Sequence, residues 1–83
     1  MRHERGVVAA VRRACSPAVP RLVPHLRDAD AEVRLCVAEA IRYYPEHAAV
    51  TLPALEAAEA VEADDEVRKA IRASRKRLAG QLK

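Results

Sequence analysis

The stretch "DADAEVR" (28–34) returns as "EADDEVR" (62–68), with five of seven positions identical and a sixth exchanging Asp for Glu. A phrase written twice at an offset of 34 residues constrains the fold more than any composition figure could. Fixed periods of this size mark one supersecondary unit used repeatedly. A single unit cannot bury its apolar face alone, and each stacked neighbour meets the same geometry.

The surroundings of each copy say what the unit is. Before the first, "SPAVPRLVPHLRD" offers Ser16 as an N-cap and Pro17 at the first helical position, where a missing N–H costs nothing. Val19, Leu22, Val23 and Leu26 then recur at helical spacing, and Pro24 inside that pattern predicts a kinked or short helix. Asp28 to Asp30 reads as a tight turn, with Asp30 capping a second helix that turns Val33, Val37, Ala40, Ile41 and Tyr44 inward and ends before Pro45. The cycle begins again at Pro45 or Glu46. Ala49, Leu52, Leu55 and Ala58 form the next stripe, with Pro53 inside it, and a turn around Ala63 and Asp64 leads to a helix with Val67, Ala70, Ile71, Ser74 and Leu78 inward.

Each unit is therefore a helical hairpin. A half unit precedes them, because Val7, Ala10, Val11 and Ala14 match Val37, Ala40, Ile41 and Tyr44 at a constant offset of 30. We expect an all-α protein, an α-solenoid of five helices in two and a half stacked repeats: the second helix of a partial repeat at 1–15, repeat 1 at 16–44 and repeat 2 at 45–80.

An 83-residue chain allows one domain with a thin core. Its 51% apolar residues, mostly small and aliphatic, with two Gly and two Tyr as the whole aromatic content, suit packed helices. Cys15 and Cys36 have no CxxC spacing and no secretory leader before them, so a reducing cytoplasm is the expected compartment. Charges or prolines interrupt every apolar run short of the roughly 20 residues of a membrane span, and no membrane partner is expected.

"LVPHLRDADAEVRLCVAEAI" (22–41) and the weaker "LPALEAAEAVEADDEVRKAI" (52–71) share Leu-x-Pro-x-Leu or a relative of it, an acid, and Val-Arg after the turn. In this the chain resembles the HEAT-repeat family, specifically the short HEAT-like repeats of the phycobilisome lyase type. The resemblance covers nearly the whole chain. It implies a polar ladder through the stacked hairpins, filled here by Asp28 and Arg34 in one repeat and by Glu62 and Arg68 in the next. The period is shorter than the roughly 40 to 47 residues usual for HEAT repeats, and Arg75 stands where the first repeat has Ile41. A polar terminal cap would account for that exchange.

Catalytic and cofactor chemistry find no support in the residues. His3, His25 and His47 lie on different elements without a neighbouring ligand, so neither a metal nor a cofactor is expected. The two glycines stand alone, which excludes a phosphate loop. Cys36 is expected to fill the packed side of its helix, and no residue identifies a bilin site. The acids from Glu56 to Glu66 read as a solvated face and turn.

One constellation remains. Aligned at offsets of 30 and 34, the second helices place Arg12, Arg42 and Lys76 at one equivalent position away from the apolar stripe. Extended by Arg5, Lys69 and Arg72, with Leu35, Glu39 and Tyr43 as neighbours, this basic row would line the concave face that second helices form in such solenoids. We expect a non-enzymatic interaction module binding a protein partner, or a second copy of itself. Binding of a nucleic-acid backbone is the alternative, disfavoured by a net charge of only +3 and by the lack of aromatics to stack on bases.

Overall fold

Three prolines shape the first helix. In the computed structural model, which describes residues 14–81, the segment 16–27 (α1) is a 3-10 turn Ser16–Ala18, one α-turn Val19–Leu22 and a 3-10 stretch Val23–Arg27. Proline at the head of each piece removes the donor that a continuous α-helix needs. Val19 and Leu26 are nonetheless fully buried. Ser16 does not cap this helix: no side-chain cap bond is made there, and its hydroxyl instead donates to Glu46 Oε2 at 2.6 Å.

Helix α2 (Ala31–Ala40) starts where Asp30 accepts the Glu32 amide at 2.9 Å. It tightens into a 3-10 turn, Ile41–Tyr43, and ends at Tyr44, whose backbone (φ −127°, ψ 69°) leaves the helical region ahead of Pro45. Val37, Ala38 and Ile41 are buried, while Val33, Ala40 and Tyr44 are half-buried. Cys36 is exposed, against the expectation of a packed filler. Ala38, one turn-face away, carries that contact instead, because α2 packs on the last helix through it.

A 3-10 turn Pro45–His47 leads into α3 (Ala48–Val61). Its inward face is shifted from the expected one: Ala48 and Thr51 are buried with Leu55 and Ala58, whereas Ala49 is exposed and Leu52 half-buried. Thr51 can enter the core because its hydroxyl donates to the His47 carbonyl one turn back, at 3.2 Å. Pro53 is accommodated within this helix, since the carbonyl it strands is that of exposed Ala49, open to water.

Helix α4 (Asp65–Gln81) buries Val67, Ala70, Ile71, Ser74 and Leu78, the five residues its periodicity predicts. The Ser74 hydroxyl, fully buried, donates to the Ala38 carbonyl at 2.5 Å and ties α4 to α2.

The protein is all-α, and its described residues form four helices around one core that draws on all of them. The expected five-helix solenoid is not seen. Of the fifth helix, expected over 1–15, only Ala14 and Cys15 fall within the described residues. The shape is compact, with a radius of gyration of 13.0 Å against about 12 Å for a globular domain of this length. The physical reason is that both hairpins close over the same apolar cluster, and superhelical curvature accumulates only over more units than two.

The two copies of the repeated phrase make the same bonds. Asp30 N–H donates to Asp28 Oδ1 and Asp64 N–H to Glu62 Oε2; Glu32 N–H donates to Asp30 Oδ1 and Glu66 N–H to Asp64 Oδ1. Asp64 also accepts the Val67 amide at 3.1 Å. Asp64→Ala should therefore cost somewhat more than Asp30→Ala, each on the order of 1 kcal/mol. Chemical denaturation of both variants checks the order.

Candidate functional site

The turn residues build upward into a rung between the hairpins. Arg34 donates through Nη1 to the carbonyls of Asp28 (2.7 Å) and Ala29 (3.2 Å). Its other edge forms a two-pronged pair with Glu62 of the second turn, Nε to Oε1 at 2.9 Å and Nη2 to Oε2 at 3.0 Å. Burial pushes the Glu62 carboxyl up, but the Arg34 fork and the Asp64 amide together outweigh it and hold the group below its ordinary value. The same hydrogen bonds raise Arg34 above its own ordinary value. Arg68 repeats the Arg34 contact to the residue six back, reaching the Glu62 carbonyl at 3.4 Å, and pairs with Asp65 in its own first turn. The Asp28 carboxylate takes no part in an arginine fork. It accepts the Asp30 amide and faces His25 at 3.3 Å, which lower its pKa in that order.

A second polar cluster lies between α3 and α4. Glu59 accepts Arg72 Nε at 2.9 Å and Arg75 Nε at 2.8 Å, and these two bonds lower its pKa. Arg72 thus faces α3, away from the row expected of it. Arg75 and Arg72 occupy the positions that Ile41 and Ala38 hold one repeat earlier, so α4 carries ion pairs where α2 buries carbon. The acidic stretch 56–66 is accordingly more than a solvated face, since three of its carboxylates, Glu59, Glu62 and Asp65, pair with arginines. Glu62 was expected in the ladder, whereas the Glu59 cluster was not evident from sequence, although Arg72 and Arg75, three residues apart on one helix face, are a spacing from which a shared acid could be inferred.

The remaining candidates separate. Arg5 and Arg12 lie outside the described residues. Lys69 and Lys76 are exposed and, seven residues apart, share the outward face of α4. Leu35 is half-buried against the core. Glu39, Arg42 and Tyr43 come together with Cys36 and Ala40 around an open hollow of about 440 Å³. Arg42 Nε is buried there without a hydrogen-bond partner among the described residues. Tyr43 is 45% exposed, and the Arg77 guanidinium lies 5.1 Å from its ring centroid. Sequence reasoning missed Arg77. The signal was available, because Arg77 stands 34 residues after Tyr43 and so occupies the same repeat position.

Ser16 Oγ also lies 3.0 Å from His47 Nε2. This is not the arrangement of an activated nucleophile, because the serine proton goes to the Glu46 carboxylate and not to the His47 ring. The cluster instead ties the start of α1 to the turn before α3. Among the described residues no group of three His, Cys, Asp or Glu side chains could hold a metal ion, and no helix is long and apolar enough to cross a membrane. No family model, no curated protein and no solved structure matches this chain.

Proposed function

We propose that the chain is a non-enzymatic protein-interaction module, built from short HEAT-like hairpins and working without a cofactor in the cytoplasm. Its partner binds on the face lined by the second helices, α2 and α4. The observation that carries the proposal is the Tyr43–Arg77 stack across those helices, beside Arg42 and Glu39. Aromatic and arginine side chains are the residues from which binding hot spots are most often made. The hairpin reading draws support from the identical turn bonds at an offset of 34 and from the Arg34–Glu62 rung joining one turn to the next.

Nucleic acid is the competing partner, and a cross-linking experiment separates the two. A photo-reactive residue is placed at Tyr43 in one protein and at exposed Ala57 of α3 in another, and both are irradiated in extract of the native source. Protein adducts from position 43, absent from position 57, are expected. Adducts only from position 57 would move the binding face to α3. Salt-sensitive binding of a labelled DNA duplex that Arg42→Glu/Lys76→Glu abolishes would replace the protein reading with a phosphate-backbone one.

A further inference from the structure

The bases of α4 divide into two sets. Arg68, Arg72 and Arg75 line the hollow toward α3, and each pairs with an acid, Asp65 for the first and Glu59 for the other two. Lys69, Lys76 and Arg77 are exposed on the opposite side of the helix, and none of the three makes an ion pair among the described residues. From Val67 to Gln81 the helix has no acid of its own to meet them. Arg77 joins this patch to α2, where its guanidinium lies 5.1 Å from the Tyr43 ring centroid. That ring is 45% exposed, beside the open hollow lined by Cys36 and Ala40.

Resting on the interaction-module reading, we propose that the protein partner docks along α4 through an acidic segment carrying one large apolar side chain. Its carboxylates meet Lys69 and Lys76, and its apolar side chain lies on the exposed Tyr43 ring. The two ends differ in what they favour. Beside Tyr43 the charges of Glu39 and Arg42 offset each other, so that end favours carbon against the ring. Lys69 and Lys76, two turns apart on α4, present charge with no acid between them and favour a complementary anion. A nucleic-acid backbone is a poorer match on charge density. Lys69 to Arg77 spans about 12 Å of helix, over which a duplex brings roughly seven negative charges. Three cations receive them, and exposed Glu66 and Glu39 stand at the borders. A helical peptide with acids three or four residues apart brings about two or three charges over the same length.

The test is fluorescence anisotropy of the intact chain at about 0.15 M salt, where attraction between distant exposed charges is screened. The labelled probes are a glutamate-rich peptide containing one leucine, its Gln-for-Glu, Lys-for-Glu and Ser-for-Leu counterparts, and a DNA duplex. The glutamate peptide should bind saturably, and Lys69→Gln/Lys76→Gln should weaken it about fivefold, as expected for two exposed ion pairs. Arg21→Gln/Arg27→Gln removes two charges from exposed α1 and should leave affinity unchanged. Lys69→Glu/Lys76→Glu should lose the glutamate peptide and gain the lysine one, a gain that no misfolded variant can produce. Exchanging the peptide's leucine for serine should cost about tenfold against the wild type and nothing further against Tyr43→Ala. Equal binding of the Gln peptide, or equal losses in the α4 and α1 double variants, would overturn the proposal. So would a lysine peptide that Lys69→Glu/Lys76→Glu still rejects, or a leucine effect undiminished in Tyr43→Ala. Binding of the duplex alone would overturn it in favour of phosphate. Self-association on sedimentation that Lys69→Glu/Lys76→Glu abolishes would make the acidic stretch 56–66 of a second copy the occupant and overturn it as well. Failure of every probe ends the acidic-segment proposal only, while the binding face itself stands or falls on the cross-links from position 43.

Discussion

Glu62→Ala is expected to destabilise the fold by about 3 kcal/mol, the low end of the range for breaking a buried ion pair. The low end applies because the Arg34 side chain keeps 19% of its exposure while Glu62 keeps 4%. A chain of this length has in all about 4 to 12 kcal/mol of stability. The variant should therefore melt about 12 to 24 °C lower. The cost arises from Arg34: it stays tethered to the Asp28 and Ala29 carbonyls while the Nε and Nη2 donors that met Glu62 lose their acceptors. Removing the exposed partner of the other turn, Asp65→Ala, should cost under about 1 kcal/mol, as surface pairs generally do. Similar losses in the two variants would refute the assignment of Arg34–Glu62 as the rung between hairpins.

The same rung sets the acid limb. Folding lowers the carboxyls of Glu62 and Glu59 from 4.5 and that of Asp28 from 3.8. Groups lowered on folding contribute stability that is fully present above their unfolded values and is lost as pH falls through the folded ones. The melting temperature should thus hold from neutral pH down to about the ordinary carboxyl range near 4.5 and decline below it. Glu62→Gln should start lower and decline less. A decline of equal steepness in Glu62→Gln would place the acid sensitivity elsewhere.

Ile71→Ala is the second large effect, expected at about 3 kcal/mol from lost transfer energy and the cavity left behind. Ile71 is fully buried within the cluster to which every helix contributes, so no neighbour can collapse into the space without moving a helix. Ile71→Val should cost about 1 kcal/mol. Val61→Ala, at a position 61% exposed, should be close to neutral. Urea titration of the three variants checks the order; a costly Val61→Ala would mean that α3 is covered in solution.

The fold was most legible where apolar residues alone determine the face. Helix α4 shows this, because charged residues fill every position that Val67, Ala70, Ile71, Ser74 and Leu78 leave open on its first four turns apart from Ala73. It was least legible where polar groups satisfy themselves locally. Thr51 enters the core by bonding its own helix, and that shifts the buried face of α3 by one residue. Ser16 looked like a cap from its place before Pro17, yet its hydroxyl reaches a residue 30 positions away. The turns were legible for the opposite reason: their bonds run between near neighbours, and Asp30 caps α2 as its spacing implies. The candidate site was legible only in fragments. Glu39, Arg42 and Tyr43 sit on one turn and stay together, whereas Arg72 was drawn off by Glu59, a partner 13 residues distant that periodicity does not pair with it.

Arg34 has two hands, one on the turn before it and one on the turn after. Arg68 has the first in place, on the Glu62 carbonyl, and rests the second on Asp65, an exposed residue of its own helix. That grip is weak and local, so it can be exchanged. A hairpin fused after α4 would need an acid in its turn at the place Glu62 holds, together with carbon in place of the Arg72 and Arg75 charges, for Arg68 to release Asp65 and form the next rung. The chain thus carries its own joining rule, written in a side chain that is presently folded back on itself.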